Sequence, residues 1–223
     1  MDDKLTRGRL LRLAGIAATA FGLDSLLGRR GTDDAFGADA VTCVLTPEQT
    51  EGPYYIASER VRRNITEGRP GRPLTLRLAV VDASTCKPIR GAAVDIWHCD
   101  AGGVYSGFGA GRTSRTFMRG IQRTNANGIA TFKTVYPGWY TGRTVHIHVK
   151  VHVRGNVVHT GQLYFPDRVT DAIYRRAPYS KRPNRDVRNS DDPIYRDGGR
   201  RSLLRLRRSS AGYVGSIKMG VAR

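Results

Sequence analysis

The sequence is poor in cysteine, histidine and acidic residues, and it has no long uninterrupted apolar run. Its 223 residues include 3 cysteines, 5 histidines and 19 Asp+Glu against 37 Lys+Arg, so the formal net charge is +18. So few cysteines exclude a disulfide-rich scaffold, and none of them forms the close Cys-x-x-Cys pair of a zinc site. Three cysteines permit three pairings, so the sequence leaves open which of Cys43, Cys86 and Cys99 are bonded.

Glycine and proline are frequent, with 26 and 10 residues, and they favour tight turns over long helices. Short strands separated by turns predict an all-β fold, a β-sandwich core with long irregular loops. We expect residues 167–199 to be irregular. Alternating apolar residues predict strands at 74–81, 92–97, 128–135, 145–153 and 157–165, with the last strands supplied by 203–208 and 212–221.

The first 40 residues differ from the rest of the chain. Arg7, Arg9 and Arg12 precede an interrupted apolar stretch at 13–27, and residues 38–40 read Ala-Asp-Ala, the small-x-small form of a cleavage site. This pattern predicts an export signal, or else a disordered segment, at 1–40, followed by one domain at 41–223 outside the cytoplasm. If the segment is not cleaved, it is an amphipathic helix of a cytoplasmic protein. The stretch is too short and interrupted for a permanent membrane span.

The positive charge lies beyond residue 40 and is dense near the end of the chain. Residues 171–223 hold 14 Lys/Arg and 5 Asp. Such a region could contact a polyanion, but tyrosines and leucines interrupt the basic residues and favour a packed surface. We therefore expect no nucleic-acid partner.

Two histidines have the spacing of a metal site. In a strand, His146 and His148 point to the same face, while Ile147 points into the core. Few carboxylates lie nearby, but the phenols of Tyr136 and Tyr140 do, and phenolate suits iron(III) better than copper or zinc. Taken alone, these side chains could equally be structural.

Four segments stand out in the domain: 46–55 (TPEQTEGPYY), 91–105 (GAAVDIWHCDAGGVY), 136–148 (YPGWYTGRTVHIH) and 161–165 (GQLYF). Together they resemble the intradiol ring-cleavage dioxygenases, closest to single-domain members similar to protocatechuate 3,4-dioxygenase. The resemblance implies the family's β-sandwich and a mononuclear non-haem iron(III) held by Tyr105, Tyr140, His146 and His148. His152, on the same strand face, is expected to be structural.

The resemblance also implies roles around the metal. Tyr140 would leave the iron when a catechol binds, Arg143 would stabilise negative charge on the ring, and Gln162 would lie near the oxygen-side pocket. The segment from Gly52 through Pro53 to Tyr54 resembles a stretch that lines the substrate pocket, although it could equally be a strand-entry turn.

The reaction so implied consumes a catechol and dioxygen, and both oxygen atoms enter a cis,cis-muconate-type product. Catechol, hydroxyquinol and protocatechuate all remain open as substrates. The rival interpretation is a non-catalytic β-sandwich binding module, with the basic face contacting a polyanion or a cell-wall polymer. Retention of all four ligand positions favours the enzyme. Exposed sheet edges are compatible with a homo-oligomer.

Overall fold

The computed structural model describes residue 43 and residues 45–57, 60–112 and 114–222. Two four-stranded sheets packed face to face form the centre of this part of the chain. The strands are β1 (Pro73–Asp82), β2 (Ala93–Trp97), β3 (Arg119–Arg123), β4 (Ile129–Val135), β5 (His146–Val153), β6 (Asn156–Tyr164), β7 (Arg205–Arg208) and β8 (Tyr213–Val221). Two helices, α1 (Asp167–Tyr174) and α2 (Pro193–Arg196), lie between β6 and β7.

The first sheet has the order β4-β1-β8-β7 and the second the order β3-β2-β5-β6. Neighbouring strands are antiparallel except β1 and β8, which are parallel. Apolar side chains from both sheets, such as Leu76, Phe132, Ile96 and Val149, share one buried core. The predicted β-sandwich is confirmed, and the strands expected from the alternating pattern form within a residue or two of their predicted bounds.

The prediction that residues 167–199 are irregular was wrong at α1 and α2. Helix α1 buries Thr170, Ile173 and Tyr174, which occupy one face of about two turns. A pattern this short is not distinguishable from a loop in sequence, because helices of fewer than about 12 residues depend on tertiary packing. Strand β3 was also missed. Its sequence, RGIQR, has little alternation, and the strand is defined by its pairing with β2.

Strand β5 separates core from functional side chains. Ile147, Val149 and Val151 join the core, so His146 and His148 point to the opposite, outer face of the second sheet. The β5–β6 hairpin turns at 154–155, where both residues have positive φ (53° and 88°). That geometry is the two-residue turn that suits the strand twist, and it sets the register between the strands.

A non-strand segment, residues 46–57, crosses the outer face of the second sheet, and we term it the strap. Three hydrogen bonds hold its backbone against the second sheet. The amide of Gln49 donates to the carbonyl of Thr160 (2.9 Å), Gln162 Nε2 donates to the carbonyl of Thr50 (3.1 Å), and Arg119 Nη1 donates to the carbonyl of Tyr54 (2.7 Å). The strap therefore covers the strand face that carries the histidines.

The structure selects one of the three cysteine pairings. Cys43 is bonded to Cys86, which lies in the turn after β1, and Cys99 is a buried free thiol whose Sγ is 3.3 Å from the carbonyl oxygen of Gly138. The predicted export signal at 1–40 lies outside the described residues. In the described ranges, no helix is long and apolar enough to cross a membrane.

Candidate metal centre

The two histidines of β5 converge through their Nε2 atoms, which are 3.0 Å apart. His146 Nδ1 is 2.7 Å from the carbonyl oxygen of Thr144. A carbonyl only accepts, so this nitrogen carries the proton, and the neutral ring presents an unprotonated Nε2 to its neighbours. Burial lowers the pKa of His146 to about 3 and that of His148 well below its usual value, so both rings are neutral at pH 7. Neutral imidazoles offer the lone pairs that a metal needs.

Two tyrosines complete the cluster. Tyr140 Oη lies 3.2 Å from His146 Nε2, and the ring of Tyr105 is 5.6 Å from that of Tyr140 and 6.4 Å from that of His148, between centroids. Burial raises the pKa of Tyr140 to about 12 and that of Tyr105 well above 10. The buried Tyr105 hydroxyl has no partner of normal hydrogen-bond geometry within the described part of the chain. Both phenols are therefore protonated at pH 7 unless a cation is added.

This donor set fits a hard, highly charged cation. Within the described residues, no group of three or more His, Cys, Asp or Glu side chains could hold a metal, so ligation falls to the imidazoles and phenols. Phenols with such raised pKa values lose their protons only to a cation strong enough to offset burial, and iron(III) binds phenolate in this way. The same ion would satisfy the buried hydroxyl of Tyr105. The residues thus fit a mononuclear iron(III).

Arg143 and Gln162 adjoin the cluster. Arg143 Nη2 donates to Gln162 Oε1 (2.6 Å), and Arg143 Nε donates to Asp192 Oδ2 (2.8 Å). Gln162 Nε2 is already engaged by Thr50 of the strap, so its amide orientation is fixed. The guanidinium is thereby held on both sides, which suits a fixed charge aimed at a reacting centre.

Asp192 is a functional candidate that sequence reasoning missed. It is fully buried and also accepts from the amides of Thr144, Ile194 and Tyr195. Burial alone raises the pKa of Asp192, but the bonds from Arg143 and the backbone hold it below the usual value. The Asp-Pro pair that begins α2 is an N-cap signature in the sequence. Nothing in that signature identifies Arg143 as the distant partner.

The strap residues reach the cluster at two points. Gly52 has φ +70°, and a Cβ there would lie 3.2 Å from His148 Cε1. The ring of Tyr54 stacks on that of Tyr105, with centroids 4.2 Å apart. Pro53 lies between them and is exposed. The structure thus brings Gly52 to His148 and Tyr54 to Tyr105 and leaves Pro53 on the surface turn.

The histidines are also supported from the sheet. The indole of Trp97 stacks on His148 at 4.9 Å with an interplanar angle of 4°. Arg119, nearly fully buried, donates to the carbonyls of Tyr54 and Ser106 and so joins the strap to the loop that carries Tyr105. Nothing in the sequence singles out Arg119, because it lies in β3, the strand that the alternating pattern did not predict.

Other candidate side chains have structural roles. The hydroxyl of Tyr136 is 2.7 Å from Thr170 Oγ1 and is buried away from the cluster. His152 lies four residues beyond His148 on β5, roughly 13 Å along the strand. His98 is fully buried, with Nε2 2.8 Å from Thr134 Oγ1. These side chains do not join the four converging donors.

A recess of about 260 Å³ opens directly onto the two phenols. Aromatic residues and residues with small side chains line it, and none of them is charged. They are Tyr54, Gly103, Val104, Tyr105, Phe108, Gly109, Ala110 and Tyr140. A flat ring can therefore enter edge-on toward the four donors with its faces against aromatic side chains.

Comparison with known proteins agrees with this geometry. A family model described as Dioxygenase matches residues 50–179, more than half of the chain. The structure of an intradiol ring-cleavage dioxygenase from Tetranychus urticae superimposes with a TM-score of 0.77 at 39% identity, covering 81% of this chain and 95% of that one. The chain therefore belongs to the intradiol ring-cleavage dioxygenase family.

Individual relatives differ in how much of their length is matched. The dioxygenase domain of a dioxygenase and carbohydrate-binding protein fusion from Streptomyces sp. SirexAA-E superimposes with a TM-score of 0.64 at 33% identity, over 80% of this chain and 99% of that one. Catechol 1,2-dioxygenase 1 of Acinetobacter lwoffii is 31% identical over 57% of this chain. The present chain covers 42% of that relative's length.

Proposed function

We propose that the protein cleaves the ring of a catechol between its two hydroxylated carbons, with dioxygen as co-substrate and a mononuclear non-haem iron(III) held by Tyr105, Tyr140, His146 and His148. The observation that carries the proposal is the convergence of two neutral imidazoles and two buried phenols below an aromatic recess. When bound, the iron supplies the electron-withdrawing centre that activates a catecholate toward dioxygen. In the overall reaction one carbon–carbon bond breaks, and both atoms of dioxygen enter the two new carboxyl groups.

The residues of this chain have separable roles in that reaction. Tyr140 is less buried than Tyr105 and lines the recess. With a pKa of about 12, its phenolate takes up a proton once it is displaced, and a catechol hydroxyl supplies that proton. Arg143, fixed by Asp192 and Gln162, keeps a positive charge beside the negative charge that develops on the substrate. The wall formed by Tyr54 orients the ring.

The lining of the recess also favours one group of substrates. A carboxylate on the ring, as in protocatechuate, would be desolvated against Val104 and Phe108 without a cation among the lining residues. Catechol and catechols with apolar substituents avoid that cost. We therefore propose an uncharged catechol as the preferred substrate. The relatives named catechol 1,2-dioxygenase support this choice.

The test uses the full chain. Purified protein is assayed for iron, its visible spectrum is recorded, and catechol and protocatechuate are then added separately under air while ring-opened product and oxygen uptake are measured. A tyrosinate-to-iron(III) band that shifts on catechol addition, followed by muconate, is the expected result. Protein that contains one iron per chain yet opens no catechol ring would overturn the proposed activity. Faster turnover of protocatechuate would overturn only the substrate preference.

The rival binding-module interpretation is not favoured. A binding module has no need of four converging donors or of a half-buried arginine paired with a buried carboxylate beside them. Loss of at least one ligand would be expected in a degenerate member of the family, and all four positions are retained here.

We also infer that the protein works outside the reducing cytoplasm. The Cys43–Cys86 disulfide supports this inference, because such bonds persist in oxidising compartments. So does the signal-like pattern of the first 40 residues. The measurement is the N-terminal residue of protein made in its native cell. A start at Val41 is expected, and a start at Met1 or Asp2 would contradict cleavage.

A further inference from the structure

A second opening lies on the outer face of the second sheet, at the end far from the imidazole pair. It is a cleft of about 550 Å³, larger than the 260 Å³ recess at the phenols. The register of β2 and β5 places it. Trp97 opposes His148 at the metal centre, whereas Ala93 opposes His152 at the cleft. Since a strand rises about 3.3 Å per residue, His148 and His152 are roughly 13 Å apart along β5.

Three arginines from three different turns or strands line this cleft, and we term it the arginine cleft. Arg90 comes from the turn before β2, Arg123 from the end of β3 and Arg154 from the β5–β6 turn, and all three are exposed. The buried carboxylate in the lining is Asp95, whose directly opposed neighbour on β5 is Lys150. The cleft therefore carries an excess of positive charge at its rim.

The lining between the arginines is largely apolar. Tyr55 and Ile121 contribute to it. Ile89 and Val153 add further apolar surface. Apolar side chains between exposed arginines indicate a surface suited to a ligand that is both apolar and anionic.

We propose that the arginine cleft binds a small organic anion with a flat apolar body, the chemistry of an aromatic carboxylate. The planar guanidinium forms two parallel hydrogen bonds to a carboxylate, and it also stacks on an aromatic face. A volume of about 550 Å³ falls in the range of small-molecule sites. This proposal is independent of the ring-cleavage activity, because none of the lining residues is a metal ligand.

Charge distinguishes this ligand from other occupants. A second copy of the chain would bring the same strongly basic surface, with a formal charge of +18, and like charges across an interface are unfavourable. A polyanion without apolar groups would leave Tyr55 and Ile121 uncovered. A small ring bearing one carboxylate can pair with the arginines of the rim and pack against the apolar lining.

The test is equilibrium dialysis of the purified holoenzyme with labelled benzoate, which lacks the adjacent hydroxyls that chelate a metal. The variant Arg90→Gln/Arg154→Gln removes two rim charges. Arg207→Gln/Arg208→Gln removes two exposed charges of β7, so the net charge of the two variants is matched. Thermal unfolding confirms that each variant is folded. Excess catechol and sodium sulfate at equal ionic strength are added as competitors, and the dialysis is done without oxygen so that the catechol is not cleaved.

One saturable benzoate site per chain is expected, weakened roughly tenfold or more by the cleft variant and unchanged in the β7 variant. Catechol and sulfate should displace little of it. Four results would overturn the proposal. The first three are no saturable binding, equal weakening in both variants, and complete displacement by catechol, which would assign benzoate to the metal centre. The fourth is displacement by sulfate as effective as that by unlabelled benzoate, which would show a site for charge alone.

Discussion

At the residue scale, chemistry depends on which groups hold protons. The carbonyl of Thr144 fixes the tautomer of His146, so Nε2 is the free nitrogen. Burial keeps both imidazoles neutral and both phenols protonated in the absence of a cation. The cluster is therefore matched to a cation that can deprotonate phenol, and it is a poor general acid or base by itself.

Tyr140→Phe is expected to remove the visible iron band and lower ring cleavage, because it deletes a phenolate donor and the group that takes up the substrate proton. Iron content should fall roughly tenfold or more. The matched control is Tyr136→Phe, which removes a hydroxyl bonded to Thr170 and should cost about 1 kcal/mol of stability without affecting iron. Equal iron content in the two variants would contradict the ligand assignment.

Asp192→Asn tests the positioning of Arg143. The variant keeps the size of the side chain but loses the charge that holds the guanidinium, so kcat should fall about tenfold with little change in KM or iron content. The neighbouring Asp191→Asn is the control, since that carboxylate accepts from Ser190 on the surface. A loss of iron in Asp192→Asn would indicate a structural role instead.

At the element scale, the strap determines how the histidine face is covered. Its backbone is held by β6 and by Arg119, and Gly52 brings it against His148. Only a residue without Cβ tolerates both the positive φ and this close approach.

Comparing Gly52→Ala with Gly68→Ala separates the effect of the positive φ from that of the close approach to His148. Gly68 has a similar φ (+75°), and no atom lies within 4 Å of a Cβ added there, so Gly68→Ala measures backbone strain alone. Each variant should lose about 1 kcal/mol of stability, but iron content and turnover should fall only in Gly52→Ala. If both variants retain full iron content and activity, the contact with His148 is dispensable.

The Cys43–Cys86 disulfide ties the start of the domain to the turn after β1. It closes a separation of 43 residues, and chain entropy then predicts a contribution of up to about 4 kcal/mol to the free energy of unfolding. Urea denaturation with and without reductant measures it. A Cys43→Ser/Cys86→Ser variant should be less stable and insensitive to reductant, and an unchanged midpoint would contradict the estimate.

At the scale of the whole molecule, buried groups make stability depend on pH. His98 is fully buried and its pKa is lowered from 6.5 to about 4 by burial. The unfolded chain therefore binds more protons between these values, and stability rises with pH across this window. Asp192 and Asp171 have folded pKa values below their usual ones despite burial, because arginines donate to them. Their contribution is lost as the pH falls further.

The free energy of unfolding should consequently decrease from about pH 6.5 downward and continue to decrease below about pH 4. Urea titrations at fixed ionic strength, from about pH 6.5 to below about pH 4, measure the slope. Asp171→Asn should reduce only the slope below about pH 4, because the histidine remains. A flat profile from pH 6.5 to pH 4 would contradict the role of His98.

Much of the fold could be predicted because alternation is a local property. In β5, apolar residues at every second position predict a strand with the histidines on the other face, and the structure has this arrangement. Strand β3 and helix α1 could not be predicted. The former lacks alternation and exists through its partner β2, while the latter is stabilised by packing of a two-turn face.

The sequence by itself determined the sandwich, the family and the set of residues gathered at the candidate metal centre. The alternating pattern of a strand and the His-x-His pair involve residues within a few positions of one another, so they can be seen in the sequence. The four family segments also occur in the family's order along the chain. Only the tertiary structure decided the Cys43–Cys86 pairing, the contact of Asp192 with Arg143 and the existence of the arginine cleft. Each of these joins residues far apart in the chain. The conformational entropy lost in closing such loops is offset by packing of the whole core, and no local pattern in the sequence shows it.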